Sequence, residues 1–176
     1  AYFAASEYAH AIEPTAATAF GCGAMYYKKG DIDKSIEYFD NAIELEQDPI
    51  QKSEYCYTAA QVLFSDKKLS KAKQYARKAI ENNAEYGEPY ILIAQMYATS
   101  PNWSDEAALN KCTYFAVIDK LQKAKSVDPN LAEKANELIS TYSRYTPKDE
   151  DLFFIGIKKG DAVTIGGWIG ETTTIR

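Results

Sequence analysis

Two stretches decide the fold: Tyr26–Leu45, YYKKGDIDKSIEYFDNAIEL, and Leu63–Asn82, LFSDKKLSKAKQYARKAIEN. They align without a gap at a spacing of 37 residues. Gly23 falls on Ala60, Tyr26 on Leu63, Ile32 on Leu69, Ser35 on Ala72, Ala42 on Ala79 and Ile43 on Ile80. A third copy opens in YILIAQMYATS, where Ala94 stands for Ala60 and Tyr97 for Leu63 at a spacing of 34. Its second half resumes in VIDKLQKAKSVDP, where Ala124 stands for Ala79 at a spacing of 45. The third copy therefore holds 11 extra residues, supplied by SPNWSDEAALNKC. Self-similarity at such a period is the mark of a stacked array of supersecondary units.

Each copy reads as helix, tight turn, helix. In the first half, Cys22, Gly23, Tyr26 and Tyr27 recur at helical spacing. The turn KKGD holds Gly30, which can take the left-handed conformation that closes a helix. In the second half, Ile32, Ile36, Phe39, Ala42 and Ile43 make an apolar stripe. A small residue where two helices cross lets the backbones approach, and a large neighbour fills the gap.

These residues resemble the tetratricopeptide repeat. Its pattern is a small residue in helix A, an aromatic, a turn Gly, an Ala entering helix B, an aromatic, another Ala and a closing Pro. Residues 16–49 carry it through Gly23, Tyr26, Gly30, Phe39, Ala42 and Pro49. Residues 53–86 carry it through Ala60, Ala72, Ala79 and Ile80, with Lys67 in the place of the turn Gly and Ala76 in that of the aromatic. Residues 87–130 carry it through Ala94, Tyr97, Ala124 and Pro129, with an insertion near 100–110. Residues 1–14 read as helix B of a preceding repeat, and residues 131–145 as a capping helix with Leu131, Ala135, Leu138, Ile139 and Tyr142 on one face. The resemblance implies an all-α fold, an α–α superhelix (solenoid), and a non-enzymatic scaffold that binds proteins.

The resemblance also implies where binding residues sit, on the helix-A positions that line the concave groove of each repeat. They are Phe20, Ala24 and Tyr27 in the first, Glu54, Tyr57, Gln61 and Phe64 in the second, and Glu88, Ile91, Gln95 and Ala98 in the third. The family's carboxylate clamp uses Lys and Asn, which are absent here, so a chaperone-tail receptor is disfavoured. Rings and amides suit an extended peptide or an amphipathic helix, since rings supply apolar area and amides satisfy backbone groups. The same rings could instead serve packing between repeats.

Composition changes after Tyr145, which is the last of the 14 tyrosines. Residues 146–176 hold five of the nine glycines. TPKDEDLFFIGIKKG predicts a short helix with Thr146 as N-cap and Pro147 at its first position; a strand at Leu152–Ile157 is the alternative. AVTIGGWIGETTTIR predicts a β-hairpin with Gly170-Glu171 as a two-residue turn, packed through Trp168 and Ile169. In the inserted segment, Ser104 is expected to begin the long second helix, with Trp103 in the loop before it. Trp103 and Trp168 are candidate docking residues. The C-terminal stretch resembles the tail of bacterial tetratricopeptide proteins that carry export signals, which implies a periplasmic or exported protein with this chain as its C-terminal part.

Composition narrows the chemistry. The 176 residues include 20 Lys+Arg against 25 Asp+Glu, a net charge of −5 that disfavours nucleic acid. The one histidine, His10, reads as a helix-surface residue and leaves no triad or multi-histidine metal set. Cys22, Cys56 and Cys112 lie in no CxxC and read as small buried residues, so no metal or cofactor is expected. Glycine-rich phosphate loops are missing, and no apolar run reaches the length of a membrane span. Lys67, Lys68, Lys71, Lys73, Arg77 and Lys78 form a basic stretch that reads as a solvated face or an acidic-partner contact. Three functions remain: groove binding of a protein segment, a scaffold whose active part lies upstream, and docking through the hairpin. Self-association fits any of them.

Overall fold

The computed structural model describes residues 2–176, with side chains from Ala4 onward. The chain divides into two compact units, Ala1–Ala84 and Glu85–Arg176.

The first unit is a run of helices: α1 (Tyr2–Ile12), α2 (Ala16–Lys28), α3 (Ile32–Leu45), α4 (Pro49–Ser65) and α5 (Leu69–Asn82). Local signals set their ends. Thr15 caps α2 in a reciprocal box with Thr18, Asp31 caps α3, and Asp48 caps α4 ahead of Pro49. The α2–α3 turn closes at Gly30, φ +82°, with Gly30 N–H donating to Tyr27 O and Asp31 N–H to Tyr26 O. The α4–α5 turn repeats this pattern through Lys67 and Lys68, which donate to Phe64 O and Leu63 O. Lys67 takes φ +60° there, so the backbone geometry survives without the glycine at a steric cost of roughly 1–2 kcal/mol.

Small residues let these helices approach. A Cβ on Gly23 would lie 2.5 Å from Phe39 Cδ1, and Ser35 Oγ donates to Gly23 O at 2.7 Å. Ala19, Ala42, Ala59, Ala60, Ala72 and Ala79 are fully buried. His10 departs from expectation. It is half-buried, with Nδ1 2.8 Å from Thr18 Oγ1, Nε2 3.3 Å from Asn41 Nδ2, and its ring edge-on to Tyr38. Both ring nitrogens are thus engaged in joining α1 to α2 and α3, a joint that helical periodicity alone does not reveal.

The second unit contains α6 (Glu88–Thr99), α7 (Ala107–Val127), a 3-10 turn at Pro129–Leu131, α8 (Ala132–Ser143), α9 (Asp149–Phe154), β1 (Ala162–Thr164) and β2 (Thr172–Thr174). The long helix starts at Ala107, not Ser104. The amide of Asn110 is the reason: its Oδ1 accepts from Trp103 and Ser104 N–H at 2.9 and 2.8 Å, and its Nδ2 donates to Ser104 O. These bonds hold 103–106 as a loop. The short C-terminal helix forms, but its N-cap is Lys148, not Thr146, because Thr146 Oγ1 donates back to Ser143 O.

The hairpin pairs Ala162 with Thr174, Val163 with Thr173 and Thr164 with Thr172. Its connection is therefore seven residues, 165–171, and not a two-residue turn. Ile165 N–H bonds to Glu171 O to close it, and Gly167 and Gly170 supply positive φ within it. Val163, Ile165, Thr173 and Ile175 face inward, and β2 lies on α7. Asp119 on α7 accepts from Thr173 Oγ1 and Arg176 Nη1, each at 2.6 Å, while Lys120 pairs with Glu171.

Candidate functional site

In the first unit, helical spacing puts Phe20, Ala24 and Tyr27 on one face of α2 and Glu54, Tyr57, Gln61 and Phe64 on one face of α4. Phe20 joins the two helices: its ring stacks on Tyr55 at 4.6 Å and leans on Phe39 at 5.2 Å. Much of Phe20 is thereby spent on packing. Tyr27 is 42% exposed, Tyr57 and Phe64 are half-buried, and Gln61 is exposed. Glu54 is exposed and accepts from Gln51 Nε2 at 3.2 Å. The surface offers two partly exposed rings, a more exposed tyrosine and an amide at a step of about one helical turn.

The second unit treats its counterparts differently. Ile91 is 1% exposed and so presents no surface. Glu88 accepts from Lys134 Nζ at 3.2 Å, and Gln95 is half-buried. Trp168 packs edge-on to Tyr97 and donates from Nε1 to Ser100 Oγ at 3.3 Å. Trp103 lies against Gly166, where an added Cβ would meet its ring at 2.7 Å. Its Nε1–H is buried with no acceptor among the described residues. Both tryptophans are engaged within the unit, fastening the 165–171 connection beside the inserted loop. Sequence spacing does not show this, because the contact spans more than 60 residues of chain. The most exposed rings of the unit are instead Phe153 and Phe154 on α9, at 79% and 87%.

Of the basic stretch, Lys68 pairs with Asp66 and Asp33, Lys78 lies over the Tyr75 ring at 4.9 Å, and Lys73 is buried. Tyr75 donates to Asp40 Oδ1 at 2.5 Å. Tyr26 donates to Glu7. The hydrogen bond to Glu7, then burial, raises the Tyr26 phenol far above its usual range; burial, then the bond to Asp40, does so for Tyr75.

Among the described residues no three His, Cys, Asp or Glu side chains are grouped to hold a metal. The three cysteines are unpaired with one another and buried. Burial pushes the Cys56 and Cys112 thiols up from 9.0 to about 11. Buried thiols of raised pKa are poor nucleophiles. Labelling of all three by a thiol reagent at pH 8 should therefore run at the rate of opening, and rise steeply in denaturant. The folded state also keeps these protons where the unfolded state releases them. Stability should be intact below about pH 9 and fall from there toward pH 11, more in the wild type than in Cys56→Ala/Cys112→Ala, by pH-dependent melts. Rapid native labelling, or a flat alkaline profile, would contradict this.

Residues 23–49 and 53–86 match the tetratricopeptide repeat family. Residues of this chain are 36% identical over 80 positions to Stress-induced-phosphoprotein 1 of Caenorhabditis elegans, across 46% of this chain and 24% of that protein. The chain thus spans about a quarter of the length of that curated relative. The fold resembles MamA, with a TM-score of 0.56 at 18% identity over 81% of each chain. It also resembles the first TPR of Spaghetti (RPAP3) bound to HSP90 peptide SRMEEVD, with a TM-score of 0.54 at 17% identity over 74% of this chain and 94% of that one. The two matched segments, 23–49 and 53–86, lie in a helical fold with a short C-terminal two-stranded sheet, and no described helix is long and apolar enough to cross a membrane.

Proposed function

We propose that this chain is a non-enzymatic interaction module whose first unit takes up a protein segment along α2 and α4. The observation that carries the reading is the stripe of Tyr57, Gln61 and Phe64 on α4, with Tyr27 exposed on α2, which leaves ring surface open. The neighbour solved with an HSP90 peptide supports segment binding on this fold. The ligand differs in kind here: without Lys or Asn at these positions, the stripe suits an internal extended peptide or an amphipathic helix better than a terminal carboxylate. Glu88, Gln95 and Ile91 contribute less, since Glu88 is ion-paired and Ile91 is buried. The net charge of −5 places nucleic acid outside this reading.

Peptides selected from a displayed random library test it. Against such a peptide, Tyr57→Ala with Phe64→Ala should weaken binding by about 30-fold or more, the effect of losing a roughly 2 kcal/mol anchor. The melting temperature should change far less. Gln61→Ala and Tyr27→Ala, at exposed positions, should each weaken binding with no loss of fold. Unchanged affinity in all four substitutions would sink the assignment. The tail resemblance supports a further reading, that the chain is the C-terminal part of an exported bacterial protein. The coding sequence upstream of Ala1 tests this. More repeats after a signal peptide would support it, and a catalytic domain there would instead make the repeats a scaffold for an enzyme or transport assembly.

A further inference from the structure

An open cavity of about 490 Å3 lies in the second unit, where the inserted loop, the start of α7 and the turn from α8 to α9 meet. Its wall carries Lys111, Arg144 and Lys148 with Tyr114, Tyr145 and Asn102, and no carboxylate. The absence matters because four other cations of this unit have acids beside them. Lys120 pairs with Glu171, Lys134 with Glu88, Lys159 with Asp149 and Arg176 with Asp119. Asp149, adjacent in sequence to Lys148, is thus turned to Lys159. Among the described residues, none of Lys111, Arg144 and Lys148 makes an ion pair. Three like charges around one recess repel one another, and an anion entering it relieves that repulsion.

The apolar part of the wall is aromatic. Tyr114 packs near both Tyr142 and Tyr145, with ring centroids 6.1 and 5.2 Å away and interplanar angles of 26° and 31°. Tyr145 is 52% exposed, so ring surface is open to a ligand. Arg144 adds a planar fork that suits an oxyanion.

The frame is preformed. Asn110 holds the loop at Trp103 and Ser104, Thr113 Oγ1 donates to Pro101 O at 2.9 Å, and Pro147 is buried in the turn. A site that is already ordered spends little of its binding energy on ordering.

We propose that this cavity binds an aryl oxyanion: a ring carrying a carboxylate or phosphate, with the ring against Tyr114 and Tyr145 and the charge among Lys111, Arg144 and Lys148. This site is separate from the α2–α4 stripe and does not depend on it.

Titration of the 15N-labelled chain with phenyl phosphate, phenylacetate, inorganic phosphate and benzyl alcohol tests the proposal. Phenyl phosphate or phenylacetate should shift the amides of Lys111, Tyr114 and residues 144–148 saturably, and the tighter of the two identifies the oxyanion. Inorganic phosphate and benzyl alcohol should bind at least tenfold more weakly. Lys111→Gln/Arg144→Gln/Lys148→Gln, all exposed positions, should weaken the aryl anion tenfold or more with its melt unchanged, and Tyr145→Ala should weaken it as well. No saturable shifts would overturn the proposal. So would equal binding of benzyl alcohol (an apolar recess only), equal binding of inorganic phosphate (a bare anion site), or full affinity in the triple variant.

Discussion

Gly87→Ala should destabilise the second unit by about 1–3 kcal/mol, and Gly87→Val by more. Gly87 has an ordinary helical φ of −78°, so conformational freedom is not what the position needs. Space is. A Cβ there would lie 2.8 Å from the Ala124 carbonyl oxygen, 2.7 Å from Leu131 Cδ1 and 2.9 Å from Asp128 Cβ. A carbonyl inside α7 cannot swing aside as a side-chain end can, so the start of α6 must retreat from the end of α7. Both tryptophans, Trp103 and Trp168, lie in this unit. Denaturant unfolding followed by tryptophan fluorescence therefore reads its stability directly, and an unchanged midpoint would show that the approach is looser than the structure has it.

Gly23→Val should cost the first unit about 3 kcal/mol, and here the obstacle is a side chain. Phe39 Cδ1 and Cε1 would lie 2.5 and 2.6 Å from the new Cβ, and the ring is 1% exposed with Phe20 leaning on it. It has nowhere to go. Two residues earlier, Gly21 has nothing within 4 Å of an added Cβ. Gly21→Ala should therefore stabilise the unit by up to about 1 kcal/mol, the ordinary gain of Ala over Gly in a helix. Phe39→Ala removes buried ring and should cost about 3–5 kcal/mol alone. In that background Gly23→Val should cost at least 1 kcal/mol less, because the clash is gone. Labelling of Cys22 and Cys56, both in this unit, gives the readout. Additive costs would mean that Gly23 and Phe39 are not the coupled pair.

These pairings explain why the helix-pair fold was legible in the sequence. Gly23 opposite Phe39 is local in spacing, and small residues recur at the crossings 37 residues on, as Gly23 with Ala60, Ser35 with Ala72 and Ala42 with Ala79. The hairpin was legible too, from alternating β-formers between glycines. Its seven-residue connection was not, since it follows from Trp168 seating on Tyr97 and Ser100, a contact between distant parts of the chain. The same is true of Asn110, which delays the start of α7 through its side-chain amide. His10 reads as a surface residue in sequence because its partners Thr18, Asn41 and Tyr38 come from two other helices.

The candidate surface divided along similar lines. The spacing of Tyr57, Gln61 and Phe64 follows from helical geometry alone. Whether a residue at such a position is open depends on what packs beside it, and that buries Ile91 and commits Phe20 to Tyr55. The unpaired cations around Tyr114 and Tyr145 were invisible in sequence, where Lys111 and Arg144 stand 33 residues apart.

We propose that the first unit binds a protein segment along α2 and α4. A 15N-HSQC titration of the chain with a library-selected peptide tests it most directly. Saturable shifts are expected along residues 20–27 and 54–64, lost in Tyr57→Ala/Phe64→Ala while the remaining spectrum stays folded. Shifts confined to other residues, with affinity untouched by that pair of substitutions, would contradict it.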